Sequence, residues 1–299
     1  MADDQPTFIA KSDKGSRIIV IGDVHGDVKR FMNCLYHARV FSRDLEWIAE
    51  PANTIVVQLG DQIDSMSRMP DGEAWEELAD VEMLTLTDML DKTARLGGGR
   101  LLSIVGNHEF MNIIGDYSYV SPRAKQLYDI DLRRSNFKND GVFTRILAKR
   151  NLVLQIGDFL FCHGGILPSH LTLSNESLHR INEVFRRSIK SLPLDVQQSK
   201  LLMDVVGDQG IIWTRFYIEA ANTNEEDASL LLSNVLSRLG CVAMFVGHST
   251  VPSVTSAFDN RMFFVDAGLS RSFGNDSYQY VEIINNSLET HTIQGVEKK

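Results

Sequence analysis

The sequence predicts an α/β fold: a sandwich of two mixed sheets flanked by helices, with a helical insertion. Short β-branched runs recur along the chain, each too short for a helix and bounded by turn residues. Five of these runs lead directly into a polar motif, as strands do in layered folds whose loops converge at strand ends. Longer stretches with helical periodicity separate them.

Arg17 to Ile21 (RIIVI) is the first such run, closed by Gly22. Val28 to Ala38 follows as a helix. Thr54 to Leu59 (TIVVQL) is the second strand, and Glu73 to Ala94 a long helix with Leu78, Val81, Leu84, Leu86, Met89 and Leu90 apolar. Leu101 to Val105, Leu152 to Ile156 and Phe159 to Phe161 are further strands. Ile166 to Leu239 is mostly helical, with helices at Ser177 to Ile189 and Ala228 to Leu239, and is expected to cap a substrate groove. Val242 to Val246 returns to strand. Met262 to Val265, Tyr278 to Ile284 and Leu288 to Ile293 have hairpin-like spacing with Asn285-Asn286 as a turn, which predicts an antiparallel second sheet.

At 299 residues and 43% hydrophobic, the chain can bury a large core, and nothing in it resembles a linker. One domain over residues 15–295 is expected, with residues 1–14 a flexible tail. The net charge of −9 comes with no basic stripe, so stable nucleic-acid binding is not expected. Cys34, Cys162 and Cys241 are scattered, without a CxxC, and read as buried thiols in a reducing compartment. There is no signal-like N-terminus and no apolar run long enough to span a bilayer, so a soluble cytoplasmic protein is expected. Composition leaves the oligomeric state open.

The polar motifs carry the chemistry. They read Gly22-Asp23-Val24-His25-Gly26, Gly60-Asp61-Gln62-Ile63-Asp64, Gly106-Asn107-His108-Glu109, His163-Gly164-Gly165, Trp213-Thr214-Arg215 and Gly247-His248. Taken singly each has an ordinary structural explanation: a turn, a helix cap, a core histidine. Together, in this order and at strand ends, they specify a two-metal site. Asp23 and His25 share one turn and can reach one ion; Asp61 can bridge both; Asn107, His163 and His248 complete the second. Mixed nitrogen and oxygen donors suit Mn, Fe or Zn better than Ca or Mg. Paired ions clamp both oxygens of an in-line displacement at phosphorus, and the solvent between them is the expected nucleophile. His108, beside the ligand Asn107 but turned from the metals, is the candidate general acid. Asp64 suits three roles: orienting His108 and stabilising its protonated form, making the turn, or supporting a ligand. Glu109 reads as a cap or a support. His37, His170, His179 and His291 fit no motif and read as surface or structural.

In this order the motifs resemble the phosphoprotein phosphatase superfamily of metal-dependent serine/threonine phosphatases. Gly106 to Val120 (GNHEFMNIIGDYSYV), Gly207 to Arg215 (GDQGIIWTR) and Val265 to Gly274 (VDAGLSRSFG) look most like its Shewanella-like phosphatase branch. The resemblance spans residues 17 to 285 and implies a calcineurin-like metallophosphoesterase α/β/β/α sandwich. It implies the same ligands, Asp23, His25, Asp61, Asn107, His163 and His248, for two divalent ions. It implies His108 with Asp64 as the proton-donor pair. It also makes Arg215 a phosphate-binding residue, since a planar guanidinium suits phosphate oxygens. The sequence departs from the family where a second phosphate-binding arginine follows Asp64: Ser65 stands there, then Met66 instead of glycine. Arg68, three residues on, is the candidate replacement.

The implied activity is hydrolysis of phosphoserine, phosphothreonine or phosphotyrosine in a protein substrate. The alternative enzyme is an ApaH-like hydrolase of dinucleoside polyphosphates or RNA caps. A non-catalytic phosphoprotein binder is the third reading, motivated by Ser65.

Overall fold

The β-branched runs form the two central layers of an α/β/β/α sandwich. The computed structural model describes residues 4–10, 17–67, 79–138, 140–175, 177–223 and 226–295. In chain order its elements begin with β1 (Phe8–Ile9), β2 (Arg17–Ile21), α1 (Val28–His37), β3 (Ile55–Gln58), α2 (Glu82–Leu96) and β4 (Arg100–Ser103). Four helices follow: α3 (Asn107–Ile114), α4 (Pro122–Leu127), α5 (Ile130–Phe137) and α6 (Val142–Leu147). Strands β5 (Val153–Ile156) and β6 (Phe159–Cys162) precede a second helical stretch of α7 (Pro168–Leu173), α8 (Leu178–Ile189), α9 (Val196–Val206), α10 (Phe216–Thr223) and α11 (Glu226–Leu239). The chain ends with β7 (Ala243–Val246), β8 (Thr255–Ala257), β9 (Met262–Phe264), β10 (Ser277–Ile284) and β11 (Ser287–Gln294).

One sheet has the order β11-β10-β2-β3-β4 and the other β1-β5-β6-β7-β9-β8. β2, β3 and β4 run parallel, as do β6, β7 and β9. Side chains alternate across a strand, and β2 uses both faces. Ile18 and Val20 join Val57, Leu102, Phe161 and Phe245 between the sheets, while Ile19 and Ile21 pack under Phe31 and Leu35 of α1. Each fully buried aliphatic side chain stabilises by about 1.5–3 kcal/mol, so the strands that end at the motifs are firmly held.

Three expectations are corrected. The late strands do not form a sheet of their own. β9 joins β7 in the second sheet, while β10 pairs antiparallel with β2, burying Val281 and Ile283 between the layers. The hairpin itself is as expected, with Asn285 and Asn286 at φ 49° and 71°. The helices from residue 168 onward are a layer, not a cap: Leu171, Ile181, Phe185, Leu201 and Leu232 pack on the outer face of the second sheet. Within this stretch it is the loop between α9 and α10 that reaches the site. Residues 4–10 are no loose tail. Gln5 N–H donates to the Lys149 carbonyl at 2.8 Å, and Phe8–Ile9 pairs parallel with β5. The start of the expected Glu73 to Ala94 helix lies outside the described residues, and the rest is α2. Helices α4 to α6 were not legible as helices, because α5 is mostly polar and the largest side chain it buries is a charged one, Arg133.

Candidate active site

Two sets of three parallel strands deliver their C-terminal ends to one place. Asp23 and His25 follow β2, Asp61 follows β3, Asn107 follows β4, His163 follows β6, His248 follows β7 and Asp266 follows β9. The turns are tight: His25, Asp61, Asp64 and His248 all have positive φ, at 44°, 50°, 66° and 62°. Non-glycine residues in that region are strained by about 1–3 kcal/mol each and cluster at functional sites. The motif glycines answer to close approach. A Cβ on Gly106 would overlap Asp61 Oδ1, and one on Gly247 would overlap Asp23 Oδ1.

Backbone carbonyls settle which nitrogen each imidazole offers. Nδ1 of His25 lies 3.2 Å from the Ile63 carbonyl, Nδ1 of His163 lies 2.7 Å from the Leu59 carbonyl, and Nε2 of His248 lies 2.9 Å from the Trp213 carbonyl. A carbonyl only accepts, so each of those nitrogens carries a proton, and the other nitrogen is the one that can offer a lone pair to a metal. That arrangement is usual for metal-binding histidines. The donor atoms of Asp61, His163 and His248 lie within 4.8 Å of one another, as do those of His25, Asp61 and His108. Asn107 Oδ1 is 3.0 Å from His163 Nε2, and Asp23 accepts the His248 N–H at 3.0 Å. All six sequence-predicted ligands are buried, and all but His163 line one cleft.

The charges call for a cation. Burial, then Asp266, push Asp23 well above the usual carboxylate range. Burial works the same way on Asp61, but His163, His108 and His25 outweigh it and hold Asp61 well below that range. Burial disfavours a protonated His163, yet Asp61 and Asp23 raise it to about 10. Burial and the neighbouring His163 push His248 down to about 3. In effect a proton on His163 balances the buried carboxylates, a place a divalent ion fits better. Hard carboxylate oxygens, an amide oxygen and oriented imidazoles are a donor set that could hold divalent metal.

Glu109 ties the ligand turns together. Its carboxylate accepts the backbone N–H groups of Asp61 at 3.0 Å, Gln62 at 2.7 Å and Gly106 at 2.8 Å. This is the cap-and-support reading of the sequence, and it leaves Glu109 no opening to the cleft.

His108 has Nδ1 2.9 Å from Asp64 Oδ2, and its Nε2 is 3.8 Å from Asp61 Oδ2. Asp64 is fully buried and is also contacted by Asn112 and Arg133. Sequence reasoning missed Asn112, Arg133, Asp80 and Asp266. Asp266 had a signal, since it follows an apolar run as the other motif residues do. Arg133 had none: a charged residue in a polar helix reads as solvent-facing.

The cleft, of about 160 Å³, is walled by Tyr119, Trp213, Arg215, Thr250 and Phe273 around the donors. Phe273 approaches His25 with ring centroids 5.7 Å apart, and Tyr119 approaches His108 at 5.0 Å. Arg271 grips Asp27 with Nε and Nη2 at 2.9 and 3.0 Å, anchoring the loop that carries Phe273. Arg215 Nη1 donates to the His248 carbonyl at 2.8 Å, which sets the guanidinium at the cleft wall. Ser65 is buried, its hydroxyl 3.3 Å from that of Ser121, and does not line the cleft. Arg68 lies outside the described residues.

The family model described as calcineurin-like phosphoesterase matches residues 16–252. The chain is similar to Shewanella-like protein phosphatase 1 of Plasmodium berghei, with 26% identity covering 95% of this chain and 75% of the relative. It is similar to Shewanella-like protein phosphatase 2 of Arabidopsis thaliana, with 24% identity covering 91% and 76%. Among solved structures, the cold-active protein-tyrosine phosphatase of a psychrophilic Shewanella species matches with a TM-score of 0.76 at 23% identity, over 97% of this chain and 83% of that one. That likeness shows a shared fold.

Proposed function

Because the chain belongs to the calcineurin-like phosphoesterase family, we propose that it is a metal-dependent phosphoprotein phosphatase hydrolysing phosphoserine and phosphothreonine monoesters. The observation that carries this is the set of three imidazoles each held through one nitrogen by the Ile63, Leu59 and Trp213 carbonyls, which leaves the other nitrogen to join Asp23, Asp61 and Asn107 around a metal. Asp23, His25 and Asp61 would hold one ion, and Asp61, Asn107, His163 and His248 the other, with Mn, Fe or Zn as the candidates. When bound, such ions neutralise phosphate charge and acidify water into a nucleophile.

The remaining residues handle substrate and proton. Arg215, fixed at one end by the His248 carbonyl, presents its other donors to phosphate oxygens. Asp64 accepts the His108 Nδ1 proton and thereby turns Nε2 towards the leaving oxygen, which departs as an alkoxide unless protonated.

Phosphotyrosine is a second reading, favoured by one observation: Tyr119, Trp213 and Phe273 wall the cleft and suit a phenyl ring. The Shewanella protein of similar fold is itself a protein-tyrosine phosphatase.

The test is chelator-stripped protein reloaded separately with Mn, Fe or Zn. It is assayed on matched phosphoserine, phosphothreonine and phosphotyrosine peptides and on a dinucleoside polyphosphate. Activity that vanishes with the metal and favours the peptides supports the proposal. Cleavage of the dinucleotide alone, or full activity in chelator, overturns it.

A further inference from the structure

Arg133 is among the largest fully buried side chains of the described residues, and it lies directly behind the residue that holds His108. α5 brings it there from outside every motif. Its planar fork has five donors, and the contacts use each face. Nη1 donates to Asp80 Oδ1 at 2.7 Å and Nη2 to Asp80 Oδ2 at 3.2 Å. Nη2 also donates to Asp64 Oδ1 at 2.8 Å, and Nε to Asn112 Oδ1 at 2.7 Å.

The Asn112 bond has a consequence. Since Nε can only donate, it takes the amide oxygen of Asn112 and leaves the NH₂ to face the other way. That NH₂ then reaches Asp64 Oδ1 and Oδ2 at 3.0 and 2.9 Å and the His108 carbonyl at 2.9 Å. Arg133 thus holds Asp64 directly and sets the amide that holds it from the side. Asp80 balances the guanidinium charge by its two-pronged contact and accepts the Asp64 backbone N–H at 2.8 Å. With Asp64 so fixed, Oδ2 has one place to meet His108 Nδ1.

Resting on the phosphatase reading above, we propose that Arg133 is a positioning residue for proton delivery: it locks Asp64 and Asn112 so that His108 presents Nε2 to the leaving group. Arg133 itself touches neither substrate nor metal donor. A lysine at 133 would keep the charge but not the fork, so it could not satisfy Asp80, Asp64 and Asn112 together.

The test compares Arg133→Lys and the double variant Arg133→Met/Asp80→Leu, which removes both buried charges at once, with wild type and His108→Ala. Metal content and thermal unfolding are recorded for each. A small displacement of a reacting group can cost about 10²-fold. We expect roughly that loss in kcat on a phosphoserine peptide, a few-fold loss at most on p-nitrophenyl phosphate, whose leaving group needs no proton, and unchanged KM and metal content. Adding Arg133→Lys to His108→Ala should then cost nothing further on the peptide. Equal losses on the two substrates, or additive losses with His108→Ala, overturn the proposal and leave Arg133 a structural cement. A second readout needs no activity: the His108 Nδ1 proton in NMR of metal-free protein, assigned by its disappearance in His108→Ala. It should sharpen against Asp64 in wild type and broaden or shift in Arg133→Lys; an unchanged signal overturns the positioning role. Wild-type protein inert on every phosphoester would instead sink the phosphatase reading, with the NMR arm still deciding the Arg133 contact.

Discussion

Nε2 of His163 lies 3.1 Å from Oδ2 of Asp61, with both side chains almost wholly buried. A buried carboxylate that close to an imidazole holds either a shared proton or a cation between donors. Asp61 also stands within reach of His25 and His108 on its other side. Asp61→Asn should therefore lower metal content for both ions, measured by elemental analysis, and abolish turnover. Full occupancy and full turnover in this variant would exclude the paired-metal assignment.

Stability of the metal-free protein should depend on pH through His163. Its folded pKa, about 10, is raised above the unfolded value near 6.5. The folded state therefore binds the extra proton, and the stability it contributes is complete below pH 6.5 and lost as pH rises towards 10. Asp23 and Asp266, both raised by burial first, add loss in the same direction from above their ordinary range. Thermal unfolding of chelated protein should thus show a melting temperature falling steadily from pH 6.5 to 10. A bound divalent ion replaces the proton, so metal-loaded protein should show a flatter profile. Parallel profiles with and without metal would contradict this.

His108→Ala should slow turnover of phosphoserine peptide by about 10²–10⁴-fold while metal content stays near wild type. In the proposed donor set Asn107, not His108, is the ligand, and Nδ1 of His108 lies 2.9 Å from Asp64. Loss on p-nitrophenyl phosphate should be much smaller, as steady-state kinetics on the two substrates will report. Metal loss in this variant would instead make His108 a ligand, which its place beside His25 and Asp61 makes a real competitor.

Arg215→Ala should raise KM about 10–100-fold, the equivalent of one charge-assisted hydrogen bond of about 1.5–3 kcal/mol. Arg215 is the cation on the described cleft wall, and Ser65 is buried away from it. Arg215→Lys should recover part of the affinity but not the paired geometry. Arg68→Ala, measured on the same phosphopeptide, tests whether a second arginine shares the phosphate. A KM as high as that of Arg215→Ala would give Arg68 an equal part.

Strand ends and the polar residues they carry into the cleft were legible because their signals are local. An apolar run such as Arg17 to Ile21 followed at once by Gly22-Asp23 needs no distant information, since side-chain alternation and glycine turns act over a few residues. The same holds for Gly60-Asp61 and Gly106-Asn107, although the Asp61 carboxylate that Gly106 makes room for comes from the neighbouring strand end. The hairpin at Asn285-Asn286 was equally plain, because asparagine tolerates positive φ.

Partnership across the fold was not legible. Whether Tyr278 to Ile284 builds a new sheet or extends the first depends on β2 offering it an edge, and β2 is remote in sequence, with Glu282 and Arg17 separated by 265. The helices after residue 168 carry apolar faces that serve a cap or a layer equally well until the second sheet supplies a surface to cover. Arg133 is the sharpest case. It meets Asp64 across 69 residues and Asp80 across 53, and a charge in a polar helix is stable in water until two buried carboxylates are brought to it. By itself, then, the sequence determined the strand ends, their turns and the class of chemistry, because those follow from nearest neighbours along the chain. Tertiary structure alone decided which imidazole nitrogen each backbone carbonyl takes, what walls the cleft and what holds Asp64 behind His108, because each depends on a partner that only packing brings within hydrogen-bond reach.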